Sequence, residues 1–174
     1  MNEAVVIPTG REIIDGTVLD TNSPTIIYNI ITMEPLCAVR RDRPVDDDEE
    51  AISQIVEYWA AANIDLIVLI GGSGGGNRFD YTLSPDCTHT ALENLLEEKV
   101  STEIFGKNGH LWCKLICGRK NGAVVINVPG PYTEAKAAIE AFCQTYTKHP
   151  GDLKEINAAM IQAVLAGYPE NAEV

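Results

Sequence analysis

A three-layer α/β/α domain with a mostly parallel sheet is the fold class this chain predicts, and three observations carry it. Apolar runs of strand length alternate with segments of helical period along the 174 residues. The run Ile64–Ile70, broken only by Asp65, has the pattern of a parallel strand buried on both faces. It ends abruptly in Gly71-Gly72-Ser73-Gly74-Gly75-Gly76, and in an open sheet such a loop lies outside the carboxyl end of its strand, where ligands bind.

In chain order, Ala4-Val5-Val6-Ile7 predicts an opening strand ended by Pro8-Thr9-Gly10. Residues 11–20 hold Arg11, Glu12, Asp15, Gly16 and Asp20 around Ile13-Ile14, a loop rich in ligand-capable groups. Thr21-Asn22-Ser23-Pro24 predicts a helix start, with a capping hydroxyl and proline at the first helical position. Ile26, Ile27, Ile30 and Ile31 carry that helix to about Met33. Leu36–Arg40 predicts the second strand. The acidic run 46–50 reads mainly as the dipole complement of the next helix, with one member free to face a site. Ile52, Ile55, Val56 and Trp59 mark that helix's buried stripe, which leads into the central strand.

After the glycines, Ser84-Pro85 predicts another helix start, with Ala91, Leu92, Leu95 and Leu96 inward. Leu111–Cys117 and Ala123–Val128 predict two strands joined through Asn121-Gly122, a hairpin signal. A helix over about 133–147 and a last amphipathic one over 152–166 complete a single domain, residues 1–174.

The composition, 45% hydrophobic and 22% charged, is ordinary for a globular protein. A net charge of −12 argues against nucleic acid, which needs a basic face. No apolar run reaches membrane-span length and no basic, apolar signal peptide opens the chain, so a cytoplasmic protein without a membrane partner is expected. Five cysteines without tight pairing read as reduced core thiols. Cys113, Cys117 and His110 lack zinc spacing and a fourth ligand. His89 and His149 read as surface or helix-end residues.

Five glycines in six positions let backbone N–H groups approach an anion closely. Ser73 adds a hydroxyl, and Asp80 a carboxylate able to hold a metal or orient a hydroxyl. The stretch is neither a Walker loop nor a dinucleotide fingerprint.

Four segments together resemble the molybdopterin-binding domain family, which includes molybdopterin adenylyltransferases, molybdenum-insertion proteins and the N-terminal domain of competence-damage-inducible nucleotide-processing proteins. They are Thr9–Gly16 with Asp20-Thr21-Asn22-Ser23-Pro24, Pro44-Val45-Asp46-Asp47-Asp48, the loop from Gly71 through Asp80 and Thr82, and Asn127-Val128-Pro129-Gly130-Pro131. Their order and spacing agree over about residues 5–145. The opening strand resembles the start of this domain inside a longer molybdenum-insertion-type protein.

The resemblance implies a pterin-dithiolene phosphate or a nucleotide over the glycine loop, and a homo-oligomer, trimeric or hexameric. It implies that Asp47 and Asp80 position magnesium or the attacking phosphate. Thr9, Gly10, Glu12, Asp20, Asn22, Gly71, Gly72, Ser73, Gly74, Gly75, Gly76, Thr82, Pro129 and Gly130 would line the ligand. In the adenylyltransferase branch, magnesium-ATP gives AMP to molybdopterin. Here the family's Ser-Arg-x-x-x-Gly stretch reads Cys113-Lys114-Leu115-Ile116-Cys117-Gly118. Three readings stay open: a molybdopterin-binding protein with or without transferase activity, an enzyme acting on a nucleotide pyrophosphate or pyridine nucleotide, and a catalytically silent oligomeric module.

Overall fold

The computed structural model describes residues 1–75, 86–107, 109–168 and the strand residues 172–173. Strands β1 (Glu3–Pro8), β2 (Ala38–Arg41), β3 (Leu66–Ile70), β4 (Glu98–Gly106), β5 (Leu111–Lys120), β6 (Ala123–Val128) and β7 (Ala172–Glu173) form one sheet in the order β2-β1-β3-β6-β5-β4-β7. The first four in that order are parallel, and β5, β4 and β7 extend the sheet antiparallel from β6. The parallel block predicted from the apolar runs is therefore present, with an antiparallel wing beside it.

Two helical layers cover the sheet. Ala4, Val6, Leu66, Val68, Ile126 and Val128 share one face with α2 (Asn22–Met33), α5 (Tyr132–Lys148) and α6 (Leu153–Leu165). Val5, Ile7, Ile67, Leu69 and Val125 share the other with α3 (Glu49–Ala61) and α4 (Thr88–Leu95). Every residue of β3 is buried, because it has a paired strand on each side and a helical layer on each face. Burial of each such aliphatic side chain stabilises the fold by about 1.5–3 kcal/mol.

The chain leaves β1 outward through α2 to β2, then returns past β1 through α3 to β3. That reversal puts α2 and α3 on opposite faces and opens a crevice between the carboxyl ends of β1 and β3. A short helix, α1 (Arg11–Ile14), fills part of the stretch read as a ligand-rich loop.

Several local expectations change. Thr21 precedes α2 without a side-chain capping bond, and the Asp20 carboxylate instead accepts from the Ser23 N–H at 2.9 Å. Pro24 is the third residue of α2, not the first. Leu36 is 91% exposed in the turn before β2. Asp48 caps α3 by accepting from the Ala51 N–H at 2.8 Å, as the acidic run suggested. Asn121 and Gly122 alone make the β5–β6 turn, at φ +48° and +86°, which matches a two-residue type I′ hairpin. The expected helix start at Ser84-Pro85 lies outside the described residues. Strand β4 was not expected, since its side chains are mostly polar and only Ile104 and Gly106 are buried.

Beyond the Cys117–Ile126 pair, β5 separates from β6, and the side chain of Asn127 replaces the ladder. Its Oδ1 accepts from the Ile116 N–H at 2.7 Å, and its Nδ2 donates to the Lys114 carbonyl at 2.9 Å. The Lys114 N–H meanwhile donates to Ser73 O at 2.6 Å, so the chain after β3 takes up the backbone that β6 releases. Asn127→Ala leaves a buried donor and acceptor of β5 unpaired, at about 1–3 kcal/mol each. A loss of about 2–4 kcal/mol in urea unfolding is expected, and a midpoint within error of the wild type contradicts this role.

Candidate functional site

The carboxyl ends of β1, β3 and β6 open into a cleft of about 890 Å³. Thr9, Glu12, Asp20, Asn22, Asp47, Gly71–Gly75, Pro129 and Gly130 all line it, so the described residues of the four matched segments converge there. Gly10 sits beside it at φ +128°, where a Cβ would meet the Glu12 carboxylate at 2.6 Å. Gly76, Asp80 and Thr82 lie outside the described residues.

The glycines serve close packing. At Gly72 (φ +59°) a Cβ would stand 2.3 Å from Thr88 Oγ1, and at Gly71 (φ +98°) 3.0 Å from Thr9 Oγ1. The Thr9 hydroxyl donates to the Ile70 carbonyl at 2.9 Å and lies 3.3 Å from the Thr88 hydroxyl. This contact brings α4 against the loop. The Gly72 carbonyl accepts from the His89 N–H at 3.3 Å, and the Ser73 carbonyl from Lys114. The Gly74 carbonyl lies 3.1 Å from His89 Nε2. A carbonyl only accepts, so Nε2 carries a proton there, and Nδ1 lies 3.3 Å from the Thr90 hydroxyl. In trans peptides the N–H points opposite to the C=O. Three carbonyls fixed on α4 and β5 therefore turn the amides of Ser73, Gly74 and Gly75 away from those elements. Such an amide row suits an anion.

The acidic groups divide by task. The Asp20 carboxylate receives the Arg41 Nε at 2.8 Å besides the Ser23 N–H. Burial pushes Asp20 up, but these bonds outweigh it and hold the group below its ordinary value. Asp20 thus joins α2 to β2 at the cleft's edge. Asp47 has a different environment. Burial, then Glu12, Asp86 and Asp46, push it up to about 6, against one hydrogen bond from the Arg11 backbone. Arg11 itself pairs with Asp15 and Asp46 at 3.2 Å.

No lysine or arginine lines the cleft among the described residues. Lys114, which stands in the family's Ser-Arg stretch, pairs with Glu93 and, at 3.2 Å, with Glu103. Burial pushes the neighbouring Cys113 thiol up to about 12, against its contact with Ser73 Oγ, so it is not a nucleophile at neutral pH. Asn22 donates through Nδ2 to the Gly130 carbonyl at 2.7 Å, while its Oδ1 is buried without a partner among the described residues. A ligand or ordered water relieves that kind of defect. Among the described residues, no group of three or more His, Cys, Asp or Glu is arranged to hold a metal by itself.

Sequence reasoning missed several lining or supporting groups. His89 is buried in the first turn of α4, not on the surface, and Thr88 is buried beside it. Asp86, Trp112, Glu134 and Tyr168 also line the cleft. Only the tertiary packing brings them there.

A family described as "Probable molybdopterin binding domain" matches residues 5–149. A CinA-like protein of Pseudothermotoga lettingae is 42% identical over 101 residues, which cover 58% of this chain and 22% of that protein, so the chain spans under a quarter of that relative's length. Among solved structures, the molybdopterin biosynthesis enzyme MoaB of Thermus thermophilus aligns with TM-score 0.64 at 20% identity, covering 91% of this chain and 98% of that one. CinA of Thermoplasma acidophilum aligns at 0.59 and 21%, covering 82% and 96%. The tungsten cofactor synthesizing protein MoaB of Pyrococcus furiosus aligns at 0.60 and 18%, covering 86% and 94%. At these identities the structures share the fold.

Asp47 gives the cleft a pH signature. Its folded value, about 6, lies above the ordinary 3.8, so the native state holds a proton that the unfolded chain releases. Its contribution to stability rises as pH falls from about 6 to about 4 and is least favourable above 6. Asp47→Asn is expected to melt above the wild type at about pH 8, with the gap closing toward about pH 4. A gap independent of pH contradicts this environment.

Proposed function

This chain belongs to the molybdopterin-binding domain family, and from that premise we propose that it binds molybdopterin and acts in molybdenum-cofactor synthesis or handling. One observation carries the reading. The carbonyls of Gly72, Ser73 and Gly74 are fixed on α4 and β5, so the three following amides are turned from those elements in a loop that lines the cleft. The phosphate of the ligand docks on those amides, with Ser73 and the edge formed by Asn22 and Gly130 beside it. No covalent contribution from the protein is needed, since binding of this kind rests on position and charge.

The donor set also fits magnesium. Magnesium takes one or two carboxylates together with substrate phosphates and water, and does not need a cage of protein groups. Asp47, crowded by Glu12 and Asp86, is the carboxylate that a cation would relieve most. Asp47 and Glu12 would hold the ion, and a bound cation supplies the positive charge that the described lining lacks. Adenylyl transfer from magnesium-ATP is the finer reading. It has less support here, because Lys114 is spent on Glu93 and Glu103 and Cys113 is buried.

A second reading is favoured by the 42% identity to the CinA-like protein and by the acidic lining. In it the chain acts on a pyridine nucleotide or nucleotide pyrophosphate, whose cationic or metal-bound form suits Glu12, Asp47 and Asp86. A homo-oligomer of three or six chains belongs to the same proposal.

Thermal melting with molybdopterin, magnesium-ATP, nicotinamide mononucleotide and ADP-ribose separates the readings. Ligand at a hundred times its dissociation constant stabilises the fold by about 2.7 kcal/mol, or about 5–10 °C for a domain of this size. That shift is expected with molybdopterin, and pyrophosphate release on adding magnesium-ATP would make the protein a transferase. A shift only with the pyridine nucleotide or ADP-ribose replaces the first reading by the second.

A further inference from the structure

The same cleft is also lined by aromatic and apolar side chains that an anion on the glycine loop would not need. Trp112 and Tyr168 meet there edge to face, with centroids 5.2 Å apart and ring planes at 71°. Ile104 and Val164, both buried, supply its apolar floor. Glu134, in the first turn of α5, receives the Tyr168 hydroxyl on Oε1 at 2.8 Å. Two aromatic rings, an apolar floor and one oriented carboxylate together make a site for a planar, polar-edged ring.

We propose that Glu134, held by Tyr168 beside Trp112, is the specificity-determining residue for the ring of the ligand. It selects a heterocycle with two adjacent N–H donors, the 2-amino-4-oxo edge shared by pterins and guanine. This rests on the reading that a phosphorylated ring compound occupies the cleft.

The argument is one of donors and acceptors. An ionised carboxylate only accepts, and its two oxygens can receive two parallel N–H bonds. Tyr168 uses one lone pair of Oε1, and among the described residues no other hydrogen bond or ion pair engages Glu134. With no lysine or arginine among the described lining residues, a ring that brings its own N–H donors complements the carboxylate. The 2-amino-4-oxo edge offers a ring N–H next to an amino group. The corresponding edge of adenine offers an amino group next to a ring acceptor, which a carboxylate repels. A site built on hydrogen-bond matching discriminates because a mismatched ring sets an acceptor against the half-buried Glu134 carboxylate. The phosphate would remain on the glycine loop, so compounds with equal phosphates isolate the contribution of the ring.

The test is calorimetric titration with neopterin monophosphate, GMP and AMP, each carrying one phosphate. The wild type should prefer the first two over AMP by about tenfold or more, the scale of one matched bidentate contact. Glu134→Gln presents a donor and an acceptor, so the preference should fall to within about threefold or reverse, with phosphate affinity unchanged. Tyr168→Phe removes only the hydroxyl and should weaken the preference too, which keeps the test decisive if the glutamine variant does not fold. Trp112→Ala should weaken all three ligands and leave their order intact.

Equal affinity for GMP and AMP in the wild type, an unchanged preference in both Glu134→Gln and Tyr168→Phe, or no binding of any of the three overturns the inference. A molybdopterin titration keeps the two proposals separable. Equal molybdopterin affinity in wild type and Glu134→Gln overturns the role of Glu134 and leaves the pterin reading standing. No molybdopterin binding, with GMP still preferred over AMP, does the reverse.

Discussion

The cleft depends on one close approach, between the glycines that leave β3 and the first turn of α4. At Gly72 any side chain would collide with Thr88, which is itself packed against Thr9 at the end of β1. Three parts of the chain, near residues 9, 72 and 88, therefore fit only while position 72 carries no Cβ. The contact sets His89 where its backbone N–H reaches the Gly72 carbonyl and its ring the Gly74 carbonyl. The glycines here give contact and fixed peptide orientation, and Gly71–Gly75 do not behave as a loose connector. The positive φ values of Gly71 and Gly72 are part of that geometry.

Charge is arranged around the same point. The protein carries −12 overall, and the cleft's described walls add carboxylates without a lysine or arginine. Asp20 is neutralised by Arg41 and works as a structural clamp. Asp47 is left among carboxylates and has its affinity for protons raised. A group in that state binds a cation or a ligand N–H more readily than a bare phosphate. The amide row supplies the complementary preference a short way off in the same cleft. The two together favour a ligand that is anionic at one end and brings positive charge or N–H donors at the other.

Much of this was legible in the sequence, for identifiable reasons. The Leu66–Ile70 strand is apolar on both faces because both faces are covered, so its pattern leaves no alternative. Composition left Asp47 as one of five acidic residues and only the family resemblance singled it out, while Asp48 proves to be the cap and Glu49 and Glu50 the first turn of α3. Strand β4 was hidden because its ladder to β5 is made by backbone groups while its side chains are mostly polar and few are buried. Thr88 and His89 were hidden for a different reason. Their role exists only through the contact with Gly72, far from Thr88 in the chain, and no local period records such a contact. Trp112, Glu134 and Tyr168 come from three separate elements or their ends and meet only in the folded chain.

The most direct measurement is an amide-resolved NMR titration of the isotopically labelled protein with molybdopterin. The account predicts downfield shifts of the Ser73, Gly74 and Gly75 amide protons, as expected for N–H groups that take up an anion. The His89 Nε2 proton would stay on the Gly74 carbonyl. Saturable shifts confined to other surfaces, with these three amides unmoved, would contradict the claim that the glycine loop is the anion site.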